Sequence, residues 1–391
     1  MTTIEKNIII STGFSHLIVH AMLLTFPSLY PSIKTIYNIS YDSFGSIVFF
    51  SSFLFGLGAI PAGYFENKIG CRKLLLLHLF GSSVLCFFIF YSKTSSSFIL
   101  GLCFLCLISS IYHPSGLTLI SKNLKKIENG MAIHGVFGNV GLAFGPMIAT
   151  ISLSYFSWKH AYFFFGLINL IIFFFTLFFV RDETSSIAQN FSKNHLRKNN
   201  VNILLLFFLI TGLLGMNYYG FTTFVPSFIA DNTENLLNNI SSEIKAGIFP
   251  TIIFASGMIG SVLAPKISSL FGKSFSLLII YILIIPVLLF ISLSTNYLLL
   301  FFCIVWAILF ACQLPIANAL VADITDNVKR GLGYGINFFV SFGIGAFAAY
   351  FSGKFAVKID MNFIFLFMSI IMIPATISSF LIYLFFKNNR V

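Results

Sequence analysis

Residues 181–200 read Arg-Asp-Glu-Thr-Ser-Ser-Ile-Ala-Gln-Asn-Phe-Ser-Lys-Asn-His-Leu-Arg-Lys-Asn-Asn. This is the longest polar stretch of a 391-residue chain, and it lies near the midpoint. On either side apolar runs dominate. Only 9% of the residues are charged, against roughly a quarter in a soluble domain. So little polar surface cannot cover a water-soluble globule of this length. A soluble enzyme, a disordered chain and a disulfide-stapled secreted domain are all poor fits.

A helix that crosses a bilayer needs about 20 mostly apolar residues. Outward from the polar stretch, six such runs precede it, at 7–30, 43–65, 74–92, 97–121, 130–153 and 160–180. Six follow it, at 201–229, 246–267, 274–293, 296–321, 331–352 and 362–386. Most are continuous rather than alternating, which favours helices over barrel strands. The expected fold is an all-α membrane protein of twelve transmembrane helices in two pseudo-symmetric six-helix bundles. The expected divisions are an N-terminal bundle 1–182, a cytoplasmic linker 183–200 and a C-terminal bundle 201–391. Met1 to Asn7 carry one lysine and no small-residue cleavage site follows, so the first run is expected to be retained rather than removed as a signal peptide.

The net charge is +11. Taken alone, that figure is compatible with a nucleic-acid partner, but the placement of the charges excludes one. Alternate connections receive 17 of the 23 basic residues, including all five arginines, and the other side receives six. The positive-inside rule makes the richer side cytoplasmic. An even number of spans then puts both termini there. A multi-pass protein of a bacterial inner membrane is the expected setting.

The halves also resemble each other. Thr12-Gly13 with Pro27 matches Thr211-Gly212 with Pro226, and Pro114 with Gly130 matches Pro315 with Gly331, at offsets of about 200. The turn at Gly70 matches that at Gly272. Internal repeats of this kind mark secondary transporters, in which two bundles rock around a central site.

The turn after the second run, Gly63-Tyr-Phe-Glu66-Asn67-Lys68-Ile-Gly70-Cys71-Arg72-Lys73, resembles the cytoplasmic signature loop of the major facilitator superfamily. It departs from that pattern at Asn67, where the family has Asp, and at Cys71, where it has Arg. The resemblance implies a latch between the halves on the cytoplasmic side, with Glu66 as a substitute for the missing Asp. Asp323, Asp326, Lys329 and Arg330 resemble the family's gate charges at the end of helix 10. Gly138, Gly141, Gly145 and Pro146 resemble the core of its antiporter motif, although Ala149-Thr150 stand where a Gly-Gly pair is usual. The plainer reading is a helix-packing face, since glycines four apart let helices approach closely. Tyr112-His113-Pro114, Ile133-His134-Gly135 and His16-x-x-x-His20 are similar to the fosmidomycin-resistance-like branch of drug/proton antiporters.

All twelve carboxylates fall in or beside expected connections, and no Lys or Arg sits mid-span. Charge at the bilayer centre is costly and usually functional, so its scarcity narrows the mechanism. The mid-membrane groups able to titrate near neutral pH are His16, His20, His113 and His134, with His78 nearer a helix start. His16 and His20 share one face of helix 1. The family resemblance implies that helices 1, 4, 7 and 10 line a central cavity bordered by helix 5. Two readings stay open: a proton or anion site, or neutral histidines bonding across helices. Asn139, Asn217, Tyr218, Tyr219, Gln313, Asn318 and Asn337 are candidates for solute contact, with interhelical bonding as the alternative.

The expected function is a secondary active transporter that moves a small organic solute by alternating access, as proton-linked efflux. The alternative is an uptake symporter or facilitator for a small organic anion or nutrient. An intramembrane zinc protease is a poor fit, because Leu17 stands where H-E-x-x-H needs its glutamate and no mid-span carboxylate supplies a third ligand. Cys103-x-x-Cys106 lies inside an apolar run and reads as packing. No enzyme activity, cofactor, metal site or nucleic-acid partner is expected. The expected partners are the solute, protons and the lipid bilayer, around a monomer.

Overall fold

The first helix starts where its local chemistry dictates. The Thr2 side chain accepts a bond from the Glu5 backbone N–H, and the Glu5 carboxylate accepts one from the Thr2 N–H. This reciprocal cap satisfies two of the donors that every helix start leaves open. The helix then runs Thr3–Tyr37, past Pro27 and Pro31, and ends at Asn38 in the left-handed conformation. It is longer than the expected run because both caps lie outside the apolar stretch.

The computed structural model describes residues 1–181, 201–233, 236–237, 239–324 and 335–388, without the side chains of 67, 127–129, 201, 318 and 321–324. Among these residues twelve helices are long and apolar enough to cross a membrane. Span 1 is Thr3–Tyr37, span 2 Tyr41–Glu66, span 3 Cys71–Tyr91, span 4 Ser95–Asn123, span 5 Gly130–Tyr155 and span 6 His160–Phe179. Span 7 is Asn202–Asn232, span 8 Ser242–Phe271, span 9 Lys273–Leu293, span 10 Asn296–Ala317, span 11 Gly335–Lys358 and span 12 Asn362–Asn388. The expected linker 183–200 lies outside the described residues.

Two spans depart from a plain helix. Span 4 breaks between Ser95–Ser109 and Tyr112–Asn123. Pro114 sits in the first turn of the second piece, where a missing N–H costs nothing. Span 11 widens to a π-helix over Phe339–Ile344.

The packing repeats between the halves. Span 1 packs on span 5 and span 7 on span 11; span 3 packs on span 6 and span 9 on span 12. A Cβ added at Gly141 would lie 2.3 Å from the Leu17 carbonyl oxygen, and one at Gly145 would lie 2.4 Å from that of Ala21. In the second half Gly215 presses equally closely on Ser341 and Gly345, 200 residues after the first seam. The short turns match too: Gly70 and Gly272 end their helices at φ +93° and +80°, a region open to glycine. The halves meet through span 2 on span 11 and span 5 on span 8. At the first contact Gly45 lies against Gly353 and Gly56 against Gly343.

Candidate functional site

Where spans 1, 4 and 5 meet, four imidazoles converge. The close seam of spans 1 and 5 brings His16 beside His134, with ring centroids 3.9 Å apart and stacked. Gly138 makes room for this, since a Cβ there would come within 2.3 Å of the His16 ring. The break in span 4 delivers Tyr112 and His113 to the same point. His113 lies edge-on to His16 at 5.2 Å and to His20 at 5.5 Å. His16, His113, His134 and Tyr112 are buried, and His20 is partly buried.

The hydrogen bonds assign a tautomer to three of the rings. Tyr112 donates its hydroxyl proton to the Thr12 carbonyl at 2.5 Å. The 2.6 Å contact between that hydroxyl oxygen and His134 Nε2 therefore has His134 as donor. His16 Nδ1 can only donate to the His134 carbonyl, at 2.8 Å. That leaves His16 Nε2 bare, so His20 Nε2 donates to it at 3.0 Å. One proton per neutral imidazole is then fully used. Among the described residues, His20 Nδ1 is bare, buried and without a partner, and His113 Nε2 is buried without a partner as well.

The cluster touches the other half through His113. Its ring stacks on Phe338 at 4.5 Å and on Phe342 at 5.7 Å, both from span 11, and meets Phe55 of span 2 edge-on. Further along span 1 a small cavity of about 30 Å³ lies between spans 1, 2, 4 and 7. Hydroxyl groups line it: Ser51, Ser52, Ser109, Tyr218, Thr222 and Thr223. The Tyr218 and Tyr219 hydroxyls there are buried without partners. The serines were not singled out in the sequence, although paired hydroxyls inside an apolar run were the available signal.

The other candidate residues make contacts of their own. Asn139 donates to Ser261 at 2.7 Å and ties span 5 to span 8. Asn217 accepts from the Trp306 indole at 3.0 Å, and Gln313 accepts from the Tyr281 hydroxyl at 3.3 Å. The Asn337 amide oxygen is buried without a partner. Gly138, Gly141 and Gly145 belong to the seam of spans 1 and 5, whereas Pro146 presents its carbonyl to Gly247 of span 8.

In the signature-like turn, Glu66 is buried and accepts from the Thr118 hydroxyl at 2.7 Å, inside its own half. Lys68 lies over the Tyr64 ring, and Arg72 donates to the Leu177 carbonyl at 2.6 Å, closing the end of span 6. Gly63 is buried, and Lys73 is exposed. The side chains of Asn67, Asn318 and Asp323, together with residues Asp326, Lys329 and Arg330, lie outside the described residues.

A family model described as Major Facilitator Superfamily matches residues 12–311. No curated protein sequence matches the chain significantly. Among solved structures, a bacterial homolog of the human lysosomal transporter Spinster, in an inward-facing and occupied conformation, aligns with TM-score 0.76 at 11% identity. The alignment covers 97% of each chain. A mutant of the nucleoside transporter NupG aligns with TM-score 0.74 at 14% identity, over 96% of this chain and 99% of that one. At these identities the likeness is one of fold.

Proposed function

The chain belongs to the Major Facilitator Superfamily, and from that premise we propose that it exports a small organic solute in exchange for protons, with the histidine cluster as the proton site. Membership makes it a multi-pass membrane transporter of a small solute working by alternating access, and not an enzyme. The observation that carries the finer reading is the convergence of His16, His20, His113 and His134 in a membrane core whose mid-span sequence holds no Asp, Glu, Lys or Arg.

Imidazole is the side chain whose ordinary titration falls in the physiological range. An incoming proton has a defined place to bind. His20 Nδ1 is bare, and the bonds of the cluster already use the protons of its neighbours. A proton there makes His20 an imidazolium beside three other imidazoles. Because His113 stacks on Phe338 and Phe342, a shift of its ring is felt directly by span 11. The cytoplasmic side is the one bearing both termini and the turn at Gly70, by the distribution of basic residues.

The test is solute flux in vesicles of inverted orientation, with and without an acidic lumen. Export by antiport gives accumulation with the acidic lumen. It also predicts that His20→Ala and His113→Ala lose the dependence on the gradient. Coupling unchanged in both variants overturns the proton-site reading. Accumulation only with an acidic exterior replaces export by symport.

A further inference from the structure

We propose that His16, His20 and His113 form a binding site for one divalent late transition-metal ion of the zinc class. The cluster shares its imidazoles with the proposed proton site, but the inference does not need proton coupling to hold. Span 1 alone offers two ligands four residues apart. The break in span 4 supplies the third, and one nitrogen from each of the three rings lies within 4.8 Å of the others.

Three features suit the arrangement to an ion. First, imidazole nitrogen is a preferred ligand for zinc, copper and nickel, and a three-histidine set leaves a fourth position for water or an anionic donor. Second, His16 is already held as a metal-ligating histidine is held elsewhere. Its Nδ1–H donates to the His134 backbone carbonyl, which fixes Nε2 as a bare lone pair facing the cluster. Third, the Nε2 atoms of His16 and His20 are 3.0 Å apart. With zinc–nitrogen bonds of about 2.0–2.1 Å, adjacent ligands of a tetrahedron lie about 3.3 Å apart. The widest pair must close by at most about 1.5 Å to reach that spacing.

The protons balance. For His20 to offer Nε2, its proton leaves that atom and occupies Nδ1, which is buried without a partner. The ring changes tautomer, and no net proton is released. His113 Nε2 is buried and has no hydrogen-bond partner among the described residues. The Phe338 and Phe342 faces stacked on its ring present their negative quadrupoles to an imidazole that becomes more positive when its nitrogen binds an ion. His20 is the one residue of the three that is not fully buried.

The experiment uses the full chain, purified in detergent with a histidine-free tag and stripped with chelator. Equilibration with zinc chloride, followed by metal analysis of the desalted protein, is expected to give one zinc per chain. Cobalt chloride is expected to give the visible absorption of a tetrahedral nitrogen-bound ion. His20→Ala and His113→Ala are each expected to weaken zinc binding by at least about 100-fold, more than loss of an outer-shell partner does. His78→Ala, outside the triad, is expected to leave it unchanged. Wild-type protein that retains no stoichiometric zinc and gives no tetrahedral cobalt spectrum overturns the proposal, and so does equal binding in the triad variants. Because the wild-type stoichiometry and spectrum are read directly, a variant that fails to fold does not rescue the idea. Gradient-driven flux in chelator-treated vesicles separates the two readings. Flux without zinc binding removes only the metal site, and zinc binding without coupled flux removes only the proton site.

Discussion

Replacing Gly141 with alanine tests whether the seam of spans 1 and 5 is what assembles the histidine cluster. The added Cβ would sit 2.3 Å from the Leu17 carbonyl oxygen, where ordinary contact begins at 3.4 Å. The atom in the way is backbone, so relief requires the two helices to part by about 1.1 Å at that level. His16 is the residue before Leu17. Parting by that amount stretches its 2.8 Å bond to the His134 carbonyl to about 3.9 Å, beyond hydrogen-bonding range. Overpacking costs about 1–3 kcal/mol and a lost hydrogen bond about 0.5–1.5 kcal/mol. Gly135→Ala, on the same helix, is the control, because nothing lies within 4 Å of its added Cβ. Both variants gain the same helix propensity, about 1 kcal/mol. The difference between them therefore isolates the seam, at about 1.5–4.5 kcal/mol. Denaturation of the two purified proteins side by side measures it, and gradient-driven flux shows whether the cluster survives. If Gly141→Ala matches Gly135→Ala to within about 0.5 kcal/mol, and its flux keeps the same pH profile, the seam does not build the cluster.

Two further substitutions probe the supports around the site. Tyr112→Phe removes the acceptor of the His134 Nε2–H and the donor to the Thr12 carbonyl. It is expected to destabilise the chain by about 1–3 kcal/mol and to slow coupled flux, both read against wild type in the same assays. Thr118→Val strips the buried Glu66 carboxylate of its hydroxyl partner and is expected to cost about 1–3 kcal/mol in denaturation, whereas Glu66→Gln keeps an acceptor for that hydroxyl and costs less.

Apolar run length carried the twelve spans because a bilayer imposes one simple requirement on every crossing segment. The helix ends were less legible. Span 1 overran its apolar run at both ends because a capping box and a left-handed residue, both polar, set its limits. The break in span 4 had a visible cause in Pro114, yet the continuous apolar run on both sides concealed it. The π-helix of span 11 lies where Gly215 meets Ser341 across the seam, a contact that no local sequence pattern marks.

Within the site, His16 and His20 were legible as one face because four residues is close to one helical turn. Their approach to His113 and His134 depends on three helices packing, which no spacing encodes. Membrane amides were ambiguous for the same reason. Asn139 and Gln313 bond to Ser261 and Tyr281, and only the fold brings those partners within reach.

The repeat bears on why the proposed proton site lies in one half. The seam glycines Gly141 and Gly145 have counterparts in Ser341 and Gly345, so the rigid contact that joins each bundle is kept in both. The histidines are not. At the local offsets of 199 and 201, His16 corresponds to Gly215, His20 to Tyr219, His113 to Leu314 and His134 to Gly335. Near the matching position, Phe221, Trp306 and Phe310 stack at 3.5 and 4.8 Å, and Trp306 donates to Asn217. One bundle thus carries groups that can change charge, and the other carries an aromatic stack that cannot. The two are in register through His113, whose ring lies on Phe338 and Phe342 of the opposite half. A motion that carries span 11 away from span 2 must strip those rings from His113, and a change of charge on the cluster must alter how strongly they are held. That reciprocity is what the proposed proton coupling would require of this cluster: occupancy biases the arrangement of the halves, and the arrangement biases occupancy.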